Sequence, residues 1–227
     1  STNNRIMVPF YVYYSMFGFQ RIGDLAWAAG DMQARGFLLG GTSGRTTLNG
    51  EGLQHEDGHS HILANTIPNC VTYDPTFAHE VAVIMHHGMK RMVEQQENVF
   101  YYITLLNENY PMPGLTAGTE EQIIKGMYMC KPGAVPPQDT SGASEKRVQL
   151  LGSGTILRES IAAQTLLAAD WGIQADVWSC PSFNELTREG QDAERWNLLH
   201  PLETPRVPFV AQQLGTNTGP VVASTDY

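Results

Sequence analysis

The chain is poor in charge, in cysteine and in long apolar runs. Only 16% of its 227 residues are charged, and 14 Lys+Arg stand against 23 Asp+Glu, a formal net charge of -9. No basic run or stripe interrupts that acidity, so the electrostatic footprint that a nucleic-acid binder needs is missing. The three cysteines, Cys70, Cys130 and Cys180, are odd in number, far apart and in no CxxC pair. That fits a reducing, cytoplasmic compartment better than a disulfide framework. The longest apolar stretches fall well short of the ~18 residues of a spanning helix, and no signal peptide opens the chain, which argues against a membrane.

What is present suits a globular protein. Hydrophobic residues make up 42% of the chain, ample for the core of one large domain or two smaller ones. The chain opens on Ser1-Thr2-Asn3-Asn4 without a Met and stops on the strand-like run Pro220 to Tyr227. A fragment of a longer protein is therefore expected, with an active site that could be divided between this segment and others.

Periodicity suggests two successive α/β units. Met7 to Tyr14 reads as a strand, and from Phe17 the apolar spacing turns helical through Ile22, Leu25 and Ala29. Gly36 to Gly41 is a short buried strand, Cys70 to Tyr73 another, and Val99 to Leu105 a third. Asp74-Pro75 is expected to start a helix that runs over Phe77 to Val93. This βαβαβ alternation implies a parallel sheet with helices on both faces. Residues 132–146, rich in proline, glycine and small polar residues, read as a linker or exposed loop. After it Val148 to Gly154 is a strand and turn, Thr155 to Trp171 a helix, and Asp176 to Ser179 a strand. The units are thus placed at 1–131 and 147–227. Gly152-Ser153-Gly154 fits a tight strand-to-helix turn better than a phosphate cradle, since no full GxGxxG accompanies it.

The densest chemistry lies between Gly50 and His61, where His55, His59, His61, Glu51, Glu56 and Asp57 fall within one glycine-punctuated loop at the carboxyl end of a strand. In open α/β sheets ligands bind at that end. Three readings compete. The spacing His55-x3-His59-x-His61 resembles a metal shell, but Gly58 argues against a helix that would align the rings, and no distant ligand cluster completes it. The histidines could simply support neighbouring elements. Or one or two of them could give hydrogen bonds to a developing anion and move protons; the density of the cluster favours this for the loop as a whole. The aromatic run Phe10 to Phe19 is expected to be mostly core. Tyr14 and Phe17, closing the strand beside a glycine, could instead offer a flat ring and a phenol to a heteroaromatic ligand, with Arg21 one helical turn on.

The segments Pro9 to Arg21, Gly40 to His61 and Glu194 to Pro201 together resemble the dehydrogenase component of bacterial pyruvate dehydrogenase complexes, of the single-chain homodimeric kind within the transketolase-like superfamily of thiamine diphosphate enzymes. The resemblance spans essentially the whole chain and is weakest over residues 111–146. It implies part of a pyrimidine-binding domain followed by most of a C-terminal domain. It further implies oxidative decarboxylation of pyruvate with reductive acetylation of the lipoyl group of dihydrolipoyl acetyltransferase, in a homodimer. Phe17 would then stack on the aminopyrimidine of thiamine diphosphate, Tyr14 and Arg21 would line the substrate end, and His55 would be the active-site histidine. Mg2+ would be held by a diphosphate domain whose Gly-Asp-Gly motif this sequence lacks, so the isolated chain is expected to be inactive. Another ketol-transferring enzyme of the same fold, or a scaffold piece without catalysis, are the alternatives.

Overall fold

Alternation along β4 explains the first half of the molecule. Tyr101 and Ile103 point to one side of the sheet, and Phe100 and Tyr102 to the other; all four are buried. A strand apolar on both faces must be covered on both, as parallel sheets are. The computed structural model describes residues 6–48, 50–134, 146–217 and 219–227. In chain order the first unit comprises β1 (Phe10–Tyr14), α1 (Phe19–Asp31), β2 (Phe37–Gly41), α2 (Ser60–Ala64), β3 (Cys70–Tyr73), α3 (Ala78–Met89), β4 (Phe100–Leu105) and α4 (Glu120–Lys125). Its strands form a four-stranded parallel sheet in the order β1-β2-β4-β3. One face packs Phe37, Val71, Tyr101 and Ile103 against Ile84 of α3 and Ile123 of α4; the other packs Cys70, Phe100 and Tyr102 against Phe19 and Ala26 of α1 and Ala64 of α2.

The second unit comprises β5 (Tyr128–Lys131), β6 (Arg147–Gly152), α5 (Gly154–Trp171), β7 (Gln174–Ser179), α6 (Phe183–Leu199), α7 (Phe209–Leu214) and β8 (Val221–Ser224). Its sheet runs β5-β7-β6-β8, parallel except for β5, which is antiparallel to β7. Leu157 of α5 packs with Val148, Leu150 and Val177 on one face; Leu186 of α6 and Phe209 of α7 pack with Leu151 and Trp178 on the other.

Several sequence expectations change in detail. Tyr128–Lys131, placed by the sequence with the first unit, hydrogen-bonds into the second sheet, because its partner strand β7 lies some fifty residues downstream where no local pattern reports it. Asp74-Pro75 does not begin α3. The helix starts at Ala78, and Glu80 folds back so that its Oε2 accepts the N–H groups of Thr76 at 2.6 Å and Phe77 at 3.0 Å. Three of the four aromatics of β1 are not core: Phe10, Tyr11 and Tyr14 are all about half exposed, because β1 is the edge of its sheet, while Tyr13 packs on the core beside Tyr102. Most of the expected linker at 132–146 lies outside the described residues.

Candidate active site

β1 and β2 run parallel with Tyr14 opposite Gly41, so both strands end at one level. The chain leaving β1 and the long loop leaving β2 therefore emerge side by side. After Tyr14 a 3-10 turn over Ser15–Phe17 leads through Gly18 into α1. Gly18 is required by close approach: a Cβ there would lie 2.0 Å from the Tyr13 ring. That tight turn projects Phe17 toward the loop. A second 3-10 turn, Leu53–His55, carries His55 back to meet it.

Three rings converge. The His55 imidazole stacks on Tyr14 at 5.4 Å between centroids and 20° between planes, and meets Phe17 edge-on at 5.6 Å. Tyr14 and Phe17 are 5.9 Å apart in a T-shaped pair. The Arg21 guanidinium lies 4.1 Å from the Phe17 centroid, one helical turn on. All four residues singled out in the sequence, Tyr14, Phe17, Arg21 and His55, thus share one mouth at the carboxyl ends of β1 and β2. Glu51 Oε2 approaches His55 Nδ1 at 3.1 Å, within ion-pair distance, yet Nδ1 has no aligned hydrogen-bond partner. We read the contact as electrostatic only. Glu51 is exposed, so it contributes little to stability.

The other two imidazoles of the loop go elsewhere. His59 is exposed beside the start of α2; His61 lies on α2 and is buried. The expectation that glycines keep the whole stretch from helix thus fails at its end, since α2 begins at Ser60. His61 Nε2 lies 2.9 Å from Thr104 Oγ1, and burial, partly opposed by the Asp57 charge, lowers its pKa to about 4. Among the described residues no three His, Cys, Asp or Glu side chains converge as a metal shell would need.

Two carboxylates organise the surroundings: Asp57, which the sequence reading placed among the residues that shape the loop, and Asp74, which it did not single out as a site residue. Asp57 is fully buried; its Oδ1 accepts from Gln20 Nε2 at 3.2 Å and from the N–H groups of His59 and Ser60 at 3.1 Å each, and its Oδ2 accepts from Ser60 Oγ. The signal was available, since an Asp three residues ahead of a helix start is a capping pattern. Asp74 is buried between the sheets, accepting from Thr104 Oγ1 at 2.6 Å and Ser153 Oγ at 2.9 Å. Burial raises its pKa to about 7, against the lowering effect of those two bonds. No local pattern announces it, because Ser153 is remote in sequence. A cavity of about 120 Å3 adjoins it, lined by His61, Thr72, Ser182 and Asn184 among others. Tyr14, Phe17 and His55 do not line that cavity, and their group opens to the surface instead. Gly154, at the expected tight turn, gives its N–H to the Asp74 carbonyl, which leaves that donor satisfied without a phosphate. Cys70 and Cys180 are buried, with thiol pKa values pushed up by burial.

The two successive sheets with helices on both faces define a transketolase-like α/β fold. The fold agrees with transketolase structures from Leishmania mexicana (TM-score 0.66, 14% identity, 97% of this chain and 27% of that one) and Campylobacter jejuni (TM-score 0.64, 16% identity, 97% and 28%). The chain belongs to two families in tandem: residues 1–113 to the pyruvate dehydrogenase E1 component middle domain and residues 126–227 to the transketolase-like C-terminal domain. It is 65% identical over its whole length to the pyruvate dehydrogenase E1 component of Escherichia coli (strain K12), and 63% to that of Pseudomonas aeruginosa. It spans about a quarter (25%) of the length of each of those relatives.

Proposed function

We propose that the chain is part of a thiamine diphosphate-dependent pyruvate dehydrogenase (acetyl-transferring), which decarboxylates pyruvate oxidatively and acetylates the lipoyl group of dihydrolipoyl acetyltransferase. The observation that carries this is the meeting of Tyr14, Phe17, Arg21 and His55 at one sheet end. The residues present fit the cofactor: Phe17 is half-buried and planar, and the His55 Nδ1 lacks an aligned partner. When bound, thiamine diphosphate supplies the carbon nucleophile and the electron sink that loss of carbon dioxide from a 2-oxo acid requires.

The chain's own residues then have distinct tasks. Phe17 offers the stacking face for the aminopyrimidine. Arg21, held over that ring, meets the carboxylate end of pyruvate, and the Tyr14 phenol borders the entrance used by the lipoyl arm. His55 gives an N–H to the oxygen on which negative charge develops, the group most effective when preorganised. The unit built on the first sheet is the later part of the pyrimidine-binding domain, and the unit on the second sheet, with β5, an incomplete C-terminal domain. Mg2+ is assigned to the diphosphate domain, whose Gly-Asp-Gly motif this sequence lacks; among the described residues no three His, Cys, Asp or Glu side chains converge on a metal position. A homodimer completes the site. Unpaired cysteines favour the cytoplasm.

The test is a full-length enzyme carrying this sequence. Pyruvate should acetylate a lipoyl domain, and His55→Ala should lower kcat by about tenfold or more, ~1.4 kcal/mol of barrier. Sugar-phosphate exchange instead of lipoyl acetylation would assign the site to ketol transfer. Unchanged turnover in His55→Ala would leave the chain a scaffold.

A further inference from the structure

We propose that Asp57 is the positioning residue that sets His55 against the Phe17 to Arg21 turn, an inference that rests on the functional reading above. His55 is held at its backbone by Asp57, whose N–H donates to the His55 carbonyl at 3.1 Å. The question is therefore what fixes Asp57. Its carboxylate is tied directly to α1 and to the start of α2 and, through Ser60, to β4. Gln20, adjacent to Arg21 on α1, donates from Nε2 at 3.2 Å. The first turn of α2 donates the N–H groups of His59 and Ser60. The Ser60 hydroxyl donates to Oδ2 and in turn accepts from Tyr102 OH at 2.8 Å, which anchors the loop to β4 in the core. Arg45 adds a long contact from Nε to the Asp57 carbonyl at 3.4 Å.

The bond to Gln20 is the one that matters for chemistry. It joins the loop that carries His55 to the helix that carries Arg21 and follows Phe17, so the separation of the reacting groups is set by a buried carboxylate rather than by the rings alone. A shift of about 1 Å in such a constellation is enough to reduce turnover substantially. A carboxylate is needed because both oxygens act as acceptors. An Asn can keep the Oδ1 contacts but presents a donor toward Ser60, whose hydroxyl then loses its acceptor. A Glu adds a methylene where the side chain is already fully buried.

The experiment compares four variants of a full-length enzyme carrying this sequence: Asp57→Asn, Gln20→Leu, His55→Ala and the double variant Asp57→Asn/His55→Ala. Asp57→Asn should lower kcat by about tenfold with little change in the KM for pyruvate, because the lost interaction is one realised only as charge develops. Gln20→Leu, which spares the α2 cap, should lose about threefold or more without loss of folding. In the double variant the Asp57→Asn change should add less than about twofold to the His55→Ala loss, since the two act as a unit. Full multiplication of the two losses, or wild-type kcat per folded enzyme in both Asp57→Asn and Gln20→Leu, overturns the proposal. If His55→Ala is itself silent, the functional reading fails instead. Crystals of Asp57→Asn then decide the positioning role alone: a His55 to Phe17 centroid distance still near 5.6 Å overturns it, and displacement of the ring by about 1 Å or more sustains it.

Discussion

The Ser153 hydroxyl donates to Asp74 Oδ2 at 2.9 Å, and this buried bond joins the carboxyl end of β3 in the first sheet to that of β6 in the second. Thr104 Oγ1 donates to the other carboxyl oxygen at 2.6 Å and lies 2.9 Å from His61 Nε2. A chain of polar groups thus runs from the histidine loop to the interface of the two units.

Asp74 and His61 pull stability in opposite directions with pH. The Asp74 pKa is raised from 3.8 to about 7, chiefly by burial, so its contribution is full below about pH 4 and is lost as pH rises toward 7. The His61 pKa is lowered from 6.5 to about 4, again chiefly by burial, so its contribution is full above 6.5 and is lost as pH falls toward 4. Between those limits the two nearly offset. Asp74→Asn removes the first, and stability should then rise with pH by up to about 1.4 kcal/mol per unit more steeply than in the unmodified protein. Urea unfolding at several pH values across the window reads this directly. Parallel profiles for the two proteins would show that Asp74 does not bind its proton more tightly when folded.

Glu80 is the second tie between the units. It is fully buried on α3, and besides the two backbone donors of its own helix start its Oε1 accepts from Tyr128 OH at 2.8 Å and Ser179 Oγ at 2.5 Å, on β5 and β7. Glu80→Ala strands three buried donors, the Tyr128 hydroxyl keeping His79 Nε2 at 3.2 Å, and at about 1–3 kcal/mol for each unsatisfied donor a loss of about 3 kcal/mol or more is expected. Glu80→Gln keeps one of the two acceptor oxygens and should lose roughly half of that. Equal, small losses in both, measured by chemical denaturation, would mean that water replaces the carboxylate freely.

The first unit was readable because its strands are continuous apolar runs and its turns carry glycine; Gly36 to Gly41 and Cys70 to Tyr73 appear where expected. Tyr14 and Phe17 stood out as candidates because they close a strand beside Gly18, and the structure brings them together with His55. Long-range pairing was not readable. β5 has its partner far downstream, and the exposure of β1 follows from its place at the sheet edge, which no local pattern records. The helix α6 was overlooked although Ser182 and Glu185 form a start signal, the Ser182 hydroxyl accepting the Glu185 N–H at 3.0 Å. Only Leu186 and Ala193 of its apolar stripe are buried, and the many charges around them hid it.

Gly18→Ala tests the turn that presents Phe17. The added methyl would sit 2.0 Å from Tyr13, whose ring stacks on the buried Tyr102 at 6.2 Å, so relief requires moving a packed ring. A destabilisation of about 1–3 kcal/mol is expected, as for other overpacked sites. The proposed stacking role of Phe17 predicts that a full-length enzyme with this change binds thiamine diphosphate more weakly, because the ring tilts. Wild-type stability with wild-type cofactor affinity would show that Tyr13 swings aside without disturbing Phe17.

Arg21 separates charge from shape. Lysine preserves the charge but not the planar guanidinium that lies 4.1 Å over the Phe17 ring, and the two side chains are not equivalent at stacked sites. The cation–π contact is solvent-exposed and worth about 0.5–1 kcal/mol, so thermal stability should hardly move in Arg21→Lys. The proposed role at the carboxylate end of pyruvate predicts a different outcome for kinetics: KM for pyruvate should rise by about tenfold in Arg21→Lys and further in Arg21→Leu, with kcat less affected, as expected when ground-state and transition-state binding are lost alike. A large fall in kcat at constant KM would instead place Arg21 beside the charge that develops during reaction, and its task would then overlap with that of His55. No kinetic change in either variant would remove Arg21 from the site, leaving its guanidinium as a prop for the Phe17 ring.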